Sequence, residues 1–334
     1  MAASPDSLVP DIPVVDLGEG GSDRLARAFP ERLTLILATA RRCYGQPVLW
    51  LGDRVARRWA ARAGLACRDE CAAVAAAVGV SGTWMLNFSY EWGCTSAVVA
   101  EPDGAPRLLR TMDWQMPSLG RTLLAVRNRG AAGSWLNLTW PGFVGTIQGL
   151  APGRFAASLN QAPDPDSGCG RLGDWVAGKL AIWRNGLTPP SLLLRRVFET
   201  CADFAEARAR LAETPVCAGA FYTVVGVRPG EAAVIERTPR GAVVHDGMAA
   251  VSNHWLSEGL PGRSRSYQTQ ERLAAIRKHQ AVRRPGAAPF CWLAPPILNQ
   301  TTRLALEAVP ATGELRVQGF EPDGPATAVL ALAA

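Results

Sequence analysis

The chain has 334 residues, 48% of them hydrophobic, so it can bury a large core, and length alone allows about two domains. No apolar run approaches the roughly 20 residues that cross a bilayer as a helix, and eight cysteines are too sparse for a disulfide scaffold. The net charge of +6 comes from scattered basic residues without the aromatic interleaving of a nucleic-acid platform, so no nucleic-acid partner is expected and weak attraction to an anionic membrane surface is the modest alternative.

Residues 1–17 lack a charged start and a continuous apolar core, so they do not read as a signal peptide; a cytoplasmic protein is expected, and the Ala, Arg and Gly richness points to a bacterial source. Residues 1–93 read as one short strand and then helices over 31–44, with Leu33, Ile36 and Leu37 on one face, over 53–63 and over 69–78. Cys67 and Cys71 lie four apart on an Ala-rich stretch with no histidine or second cysteine pair nearby, so neither a metal nor another cofactor is expected. Residues 94–160 are mostly strands: 95–101 and 106–112 form a hairpin around Pro102-Asp103-Gly104, and 135–140 alternates as a half-buried strand does. Helices follow over 172–185 and 191–213, the second broken where Asp203 and Glu206 spell a capping box. Strands return over 220–227, 231–237 and 242–245. The basic stretch 272–284 reads as a helix with a solvated basic face, and a last hairpin pairs 303–309 with 314–318. These elements specify only a mixed α and β protein.

The chemistry concentrates at Cys94. A turn centred between Asp103 and Gly104 sets Cys94 opposite Asp113, a thiol beside a carboxylate; Arg110 then needs a bulge or the strand's end to reach the same face. His245, His254 and His279 stand in no recognisable Cys-His protease context. The other way to activate a thiol is to cut the chain between Gly93 and Cys94, so that the freed α-amine, titrating at roughly 7.7–8.0, becomes the base. Arg110 would favour the thiolate, and Asp113 would hold the ammonium form of the amine. Gly93 suits a strained, cleavable peptide. A buried core cysteine in an ordinary hairpin is the competing reading.

The run Asn87-Phe-Ser-Tyr-Glu-Trp-Gly-Cys-Thr-Ser-Ala-Val-Val-Ala-Glu101, followed by Arg110-Thr-Met-Asp-Trp114, resembles the cleavage region of the acid ceramidase and N-acylethanolamine acid amidase family, which are choloylglycine-hydrolase-like amino-terminal nucleophile hydrolases. The similarity extends through 141–149, 158–161, 221–231, Ser252-Asn253 and 296–299, and upstream to 9–17. It implies an α+β fold, a four-layer αββα sandwich, in one composite domain: a propeptide over 1–93 that becomes the small α subunit of a heterodimer, and a catalytic β subunit over 94–334. It makes Cys94 the nucleophile, Arg110 and Asp113 its partners, and Asn253 the oxyanion-hole donor, where a turn asparagine is the plain alternative. A further arginine is expected from the 262–267 stretch, Arg265 first and Arg263 second. Asn160 and Gln161 fall on the substrate side; Gln161 stands where the family has an acid, so it positions without exchanging a proton. Trp114 and Trp140, with Trp84, Met85, Phe88, Trp92, Met116 and Phe143, either line an acyl channel or form core. The expected activity is an autoprocessing cysteine amidase cleaving the linear amide of an N-acylated small amine, a fatty-acyl amide or ceramide-like molecule. Acyl transfer, or a penicillin- or bile-salt-type acylase of the same fold, and an unprocessed non-enzymatic scaffold stay as alternatives.

Overall fold

The computed structural model describes residues 9–89, 91–282 and 288–333. The first eight residues, Tyr90 of the motif, and Arg283 and Arg284 of the basic stretch lie outside them.

Before Gly93 come β1 (Val14–Gly18), α1 (Ser22–Ala28), α2 (Pro30–Tyr44), α3 (Gln46–Arg62), α4 (Arg68–Val78) and α5 (Thr83–Phe88). α2 buries Leu33, Ile36, Leu37 and Ala40, an i, i+3, i+4, i+7 stripe that periodicity finds readily. α3 starts seven residues before the position its pattern suggests, because exposed Val48, Trp50 and Leu51 surround buried Leu49 and blur the apolar stripe at its start. Pro47 is tolerated there, since a first-turn N–H has no partner to lose. α1 and α5, of 7 and 6 residues, are too short to show a period.

Next come β2 (Gly93–Ala100), β3 (Pro106–Asp113), β4 (Leu124–Gly130), β5 (Gly133–Thr139), β6 (Gln148–Ala151) and β7 (Phe155–Gln161), then α6 (Gly170–Arg184), α7 (Pro190–Thr200) and α8 (Phe204–Glu213). The break between α7 and α8 is where the capping residues place it. Asp203 accepts the Glu206 N–H at 2.9 Å, while the Glu206 carboxylate reaches back to Ala202 N, one residue before the cap. The chain closes with β8 (Ala220–Val225), β9 (Ala232–Thr238), β10 (Gly241–Asp246), β11 (Ala250–Val251), α9 (Thr269–Val282), β12 (Thr302–Val309) and β13 (Glu314–Glu321), with two short strands at Gly324–Pro325 and Leu330–Leu332.

The strands make two sheets. One runs β1-β4-β5-β6-β7-β8-β9-β10; the other runs β11-β2-β3-β12-β13 and carries both short strands on β13. The sheets face each other through β2 and β3 against β7 and β8; α7 and α8 cover the outside of the first, and α9 covers β2 and β11 of the second. The layers thus stack in the αββα order that the resemblance implies. β1 pairs parallel with β4, Val14 with Ala125 and Val15 with Val126, so the segment before Gly93 supplies an edge strand of the first sheet.

Candidate active site

The register of the first hairpin differs from the sequence expectation by one residue. β2 pairs with β3 as Gly93 with Asp113, Cys94 with Met112 and Ser96 with Arg110. The cause is the turn: Glu101 N donates to Ala105 O at 2.8 Å, and the Asp103 carboxylate accepts from Ala105 N at 3.0 Å, so the loop is an odd-numbered 101–105 rather than a two-residue turn. A slip of one residue exchanges the two faces of a strand. Cys94 and Arg110 therefore share a face with no bulge at all, and Asp113 projects from the opposite one. The expected thiol–carboxylate neighbour pair is not formed.

Cys94, Ser96 and Arg110 point between the sheets and are buried. Arg110 Nη2 donates to Cys94 Sγ at 3.1 Å, its Nη1 donates to Asn160 Oδ1 at 2.7 Å and to Ser96 Oγ at 3.3 Å, and its Nε donates to Gln148 Oε1 at 3.0 Å. Neutral acceptors thus orient the guanidinium toward the sulfur without neutralising it. Asn160, expected on the substrate side, instead holds Arg110. Burial pushes the Cys94 thiol up to about 11; Arg110 pulls the other way and does not win, so the thiol is protonated at neutral pH in the uncut chain.

On the other face Arg272 gathers the backbone around Cys94. Its Nη1 donates to Cys94 O at 2.6 Å and to Thr95 Oγ1 at 2.8 Å, Nη2 donates to Asn253 Oδ1 at 3.0 Å, Nε donates to Tyr267 O at 2.7 Å, and Nη1 lies 3.3 Å from Asp113. Asp113 is held in addition by the Thr302 hydroxyl at 2.9 Å. Arg272 is 0% exposed, which overturns its reading as part of a solvated basic face. A signal was present: Thr269, Arg272, Leu273 and Ile276 form the buried stripe of α9 at i, i+3, i+4, i+7 spacing, so the arginine sits on the apolar face.

Asn253 joins the two halves. Its Oδ1 accepts from Cys94 N at 2.7 Å and its Nδ2 donates to Gln161 O at 2.8 Å. Two donors meet the oxygen and one acceptor meets the nitrogen, which fixes the orientation of the amide. In the uncut chain Asn253 therefore clamps the N–H that cleavage would turn into an amine, and its own NH₂ is bonded to the Gln161 carbonyl.

Neither Arg265 nor Arg263 takes the place that Arg272 holds. Arg265 pairs with Asp164 and donates its backbone N–H to Asn253 O at 3.1 Å. Arg263 pairs with Asp174 at 2.7 Å, is partly exposed and touches none of the Cys94 cluster. Trp114 and Trp140 also lie elsewhere: their indole N–H groups donate to Tyr44 Oη at 3.1 Å and Leu119 O at 2.7 Å, and with Met116 and Phe143 they surround a cavity of only about 40 Å³ under α2 and α5. That set is core rather than channel.

The large cleft is formed by other residues. It holds about 580 Å³ between Gln161, Pro163, Ile182, Ala218 and Trp255, with Lys179, Asp164 and Arg265 among its charged residues. Gln161 links cleft and nucleophile: its carbonyl is tied to Asn253, while its buried Nε2 has no hydrogen-bond partner among the described residues. Among the described residues no group of three His, Cys, Asp or Glu is placed to hold a metal, and no helix is long and apolar enough to cross a membrane.

No family model matches the chain. It is 29% identical over 164 residues to the N-acylethanolamine-hydrolyzing acid amidase of Cavia porcellus, covering 47% of this chain and 44% of that protein. It is 33% identical over 100 residues to the acid ceramidase of Heterocephalus glaber, covering 30% and 24% respectively. The chain thus aligns with less than half the length of these curated relatives. The solved N-acylethanolamine-hydrolyzing acid amidase ortholog of Caenorhabditis elegans superposes with a TM-score of 0.53 at 19% identity, over 72% of this chain and 100% of that one, and so shares its fold. The resemblance first carried by residues 87–114 is to the same two groups of proteins.

Proposed function

We propose that the chain is an autoprocessing cysteine amidase acting on the linear amide of an N-acylated small amine, and that Cys94, Arg110, Asn253 and Arg272 form its working centre. The observation that carries this reading is that one residue, Cys94, is held at three points: Arg110 at the thiol, Asn253 at the amide N–H it shares with Gly93 and Arg272 at the carbonyl that follows. Maturation passes the thiol onto the Gly93 carbonyl, transfers the acyl group from nitrogen to sulfur, and lets water hydrolyse the thioester. A fragment ending at Gly93 and a free Cys94 amine remain. The freed Cys94 amine then serves as the base.

In turnover the Cys94 amine takes the thiol proton, sulfur adds to the acyl carbonyl, and the proton passes to the departing amine. Water then releases the acid. The oxyanion meets the Asn253 amide, whose Nδ2 leaves the Gln161 carbonyl to reach it, and the unpartnered Nε2 of Gln161. The apolar walls of the 580 Å³ cleft take the acyl chain. Each buried methylene contributes about 0.8 kcal/mol, so catalytic efficiency over a series of fluorogenic acyl amides should climb about fourfold per carbon until the cleft is full. A flat series, or phenoxyacetyl favoured over palmitoyl, would point to the penicillin-acylase-type alternative.

Two pH experiments test the proton inventory. Because burial holds the Cys94 thiol at about 11, the ionised fraction grows with pH throughout the neutral range. Conversion of intact protein to two fragments should accelerate about tenfold per pH unit from neutral to mildly alkaline conditions; a rate independent of pH would show that ionisation does not limit maturation. Gln161→Glu should move the kcat/KM profile to lower pH without stopping maturation. A buried carboxyl titrates above its ordinary value and keeps a donor O–H only below that point, so activity is retained at low pH and lost as pH rises through it. Superimposable profiles would remove position 161 from the pH behaviour.

A further inference from the structure

Gly93 lies in regular strand pairing with Asp113, so backbone freedom is not what calls for glycine there. Space is. A Cβ built on Gly93 would stand 2.0 Å from Ser266 Oγ, 2.5 Å from Ser266 Cβ and 3.4 Å from Asn253 Oδ1. The first two are far inside any contact that real side chains tolerate, so the Ser266 side chain fills the position that a residue at 93 would otherwise occupy.

Ser266 is exposed, in the bend that leads into α9. Its φ of +70° is in the left-handed region that a β-carbon disfavours, so surrounding contacts have to hold it. The residues on either side are fastened to the site: Arg265 N donates to Asn253 O at 3.1 Å, and Tyr267 O accepts from Arg272 Nε at 2.7 Å. Asn253 and Arg272 are also the groups that grip Cys94. The same two residues, Asn253 through its amide and its backbone carbonyl and Arg272 through its guanidinium, therefore hold the nucleophile and flank the serine that lies against the residue preceding it.

We infer that Ser266 is a positioning residue that sets which amino acid can precede the nucleophile, admitting glycine and excluding any residue with a side chain by pressing on the acyl side of the peptide to be cut. The inference rests on the maturation reading proposed above, and its test has an arm that does not. Thiol attack needs the Gly93 carbonyl within near-contact of Sγ, so displacing residue 93 by the clash is expected to slow conversion by about 100-fold. Gly93→Ala should show that loss. Ser266→Gly alone should mature like the native chain, and the double variant Gly93→Ala with Ser266→Gly should recover to within about threefold of it, a coupling between touching residues that separate lesions would not produce.

The independent arm uses chains that cannot mature. In a Cys94→Ala background, Gly93→Ala should lower Tm by roughly 5 °C through overpacking, and adding Ser266→Gly should return it. Restoration of Tm together with absence of cleavage in the native chain would sink the maturation reading and leave the steric lock standing. Normal maturation and unchanged Tm in Gly93→Ala, or a double variant no better than Gly93→Ala in both measurements, would overturn the role of Ser266.

Discussion

Purified Cys94→Ala protein should run as one unbroken chain and hydrolyse no acyl amide, while the native protein yields two fragments whose masses place the break after Gly93. The loss is complete because a single sulfur performs both the cut and the turnover; of the hydroxyls on the same strand, Ser96 Oγ is engaged with Asn160 Oδ1 at 2.8 Å, and Thr95 sits on the far face against Arg272. The substitution is mild for the fold, since Arg110 keeps Gln148, Asn160 and Ser96 as acceptors after the thiol is gone. Circular dichroism and Tm should therefore stay near native. Full activity in a native chain shown by mass to be intact would refute the mechanism, because an amide nitrogen cannot act as the base.

The second large effect belongs to Arg272. Arg272→Ala strips the Cys94 carbonyl, Thr95, Asn253 and Tyr267 of one shared donor group and takes from the buried Asp113 carboxylate the cation 3.3 Å away, leaving it the Thr302 hydroxyl bond. Breaking a buried ionic partnership by removing one member costs about 3–5 kcal/mol, so a drop in Tm of roughly 10 °C is expected, with little fragment formation. Arg272→Lys separates the two roles. It keeps the charge beside Asp113 but not the planar fork that reaches several acceptors at once, so it should fold and yet mature about 100-fold more slowly. An Arg272→Ala protein with native Tm and native maturation would show that the cluster on the Asp113 face is dispensable.

What could be read from the residues, and what could not, follows from the range of the physics involved. The apolar stripe of α2, the break at Asp203 and the first hairpin are local, and propensity and periodicity report local facts. The register of that hairpin is also local, yet it depends on Asp103 capping the Ala105 N–H in preference to forming a two-residue turn, and the dipeptide Asp103-Gly104 suits either. That single ambiguity placed Asp113 on the wrong face and required a bulge that does not exist. Arg272 was legible in principle from the stripe of α9, and charge composition obscured it. The cleft was not legible, because residues 161–166, 217–219, 238–240 and 255–265 meet only through sheet topology. The parallel pairing of β1 with β4 spans more than a hundred residues and leaves no signature in either segment.

That edge pairing bears on how the protein can be handled. β1 shields the hydrogen-bonding rim of β4, and Leu17 and Leu25 close over Leu124 and Val126 behind it. A truncated version beginning at Cys94 would present a bare rim with an oily strip beside it, the arrangement that recruits neighbouring molecules into aggregates. Production of residues 94–334 alone should give inclusion bodies, and supplying 1–93 as a separate polypeptide should rescue solubility. Rescue in trans would assign the early part of the chain the part of a folding partner that stays bound to its client.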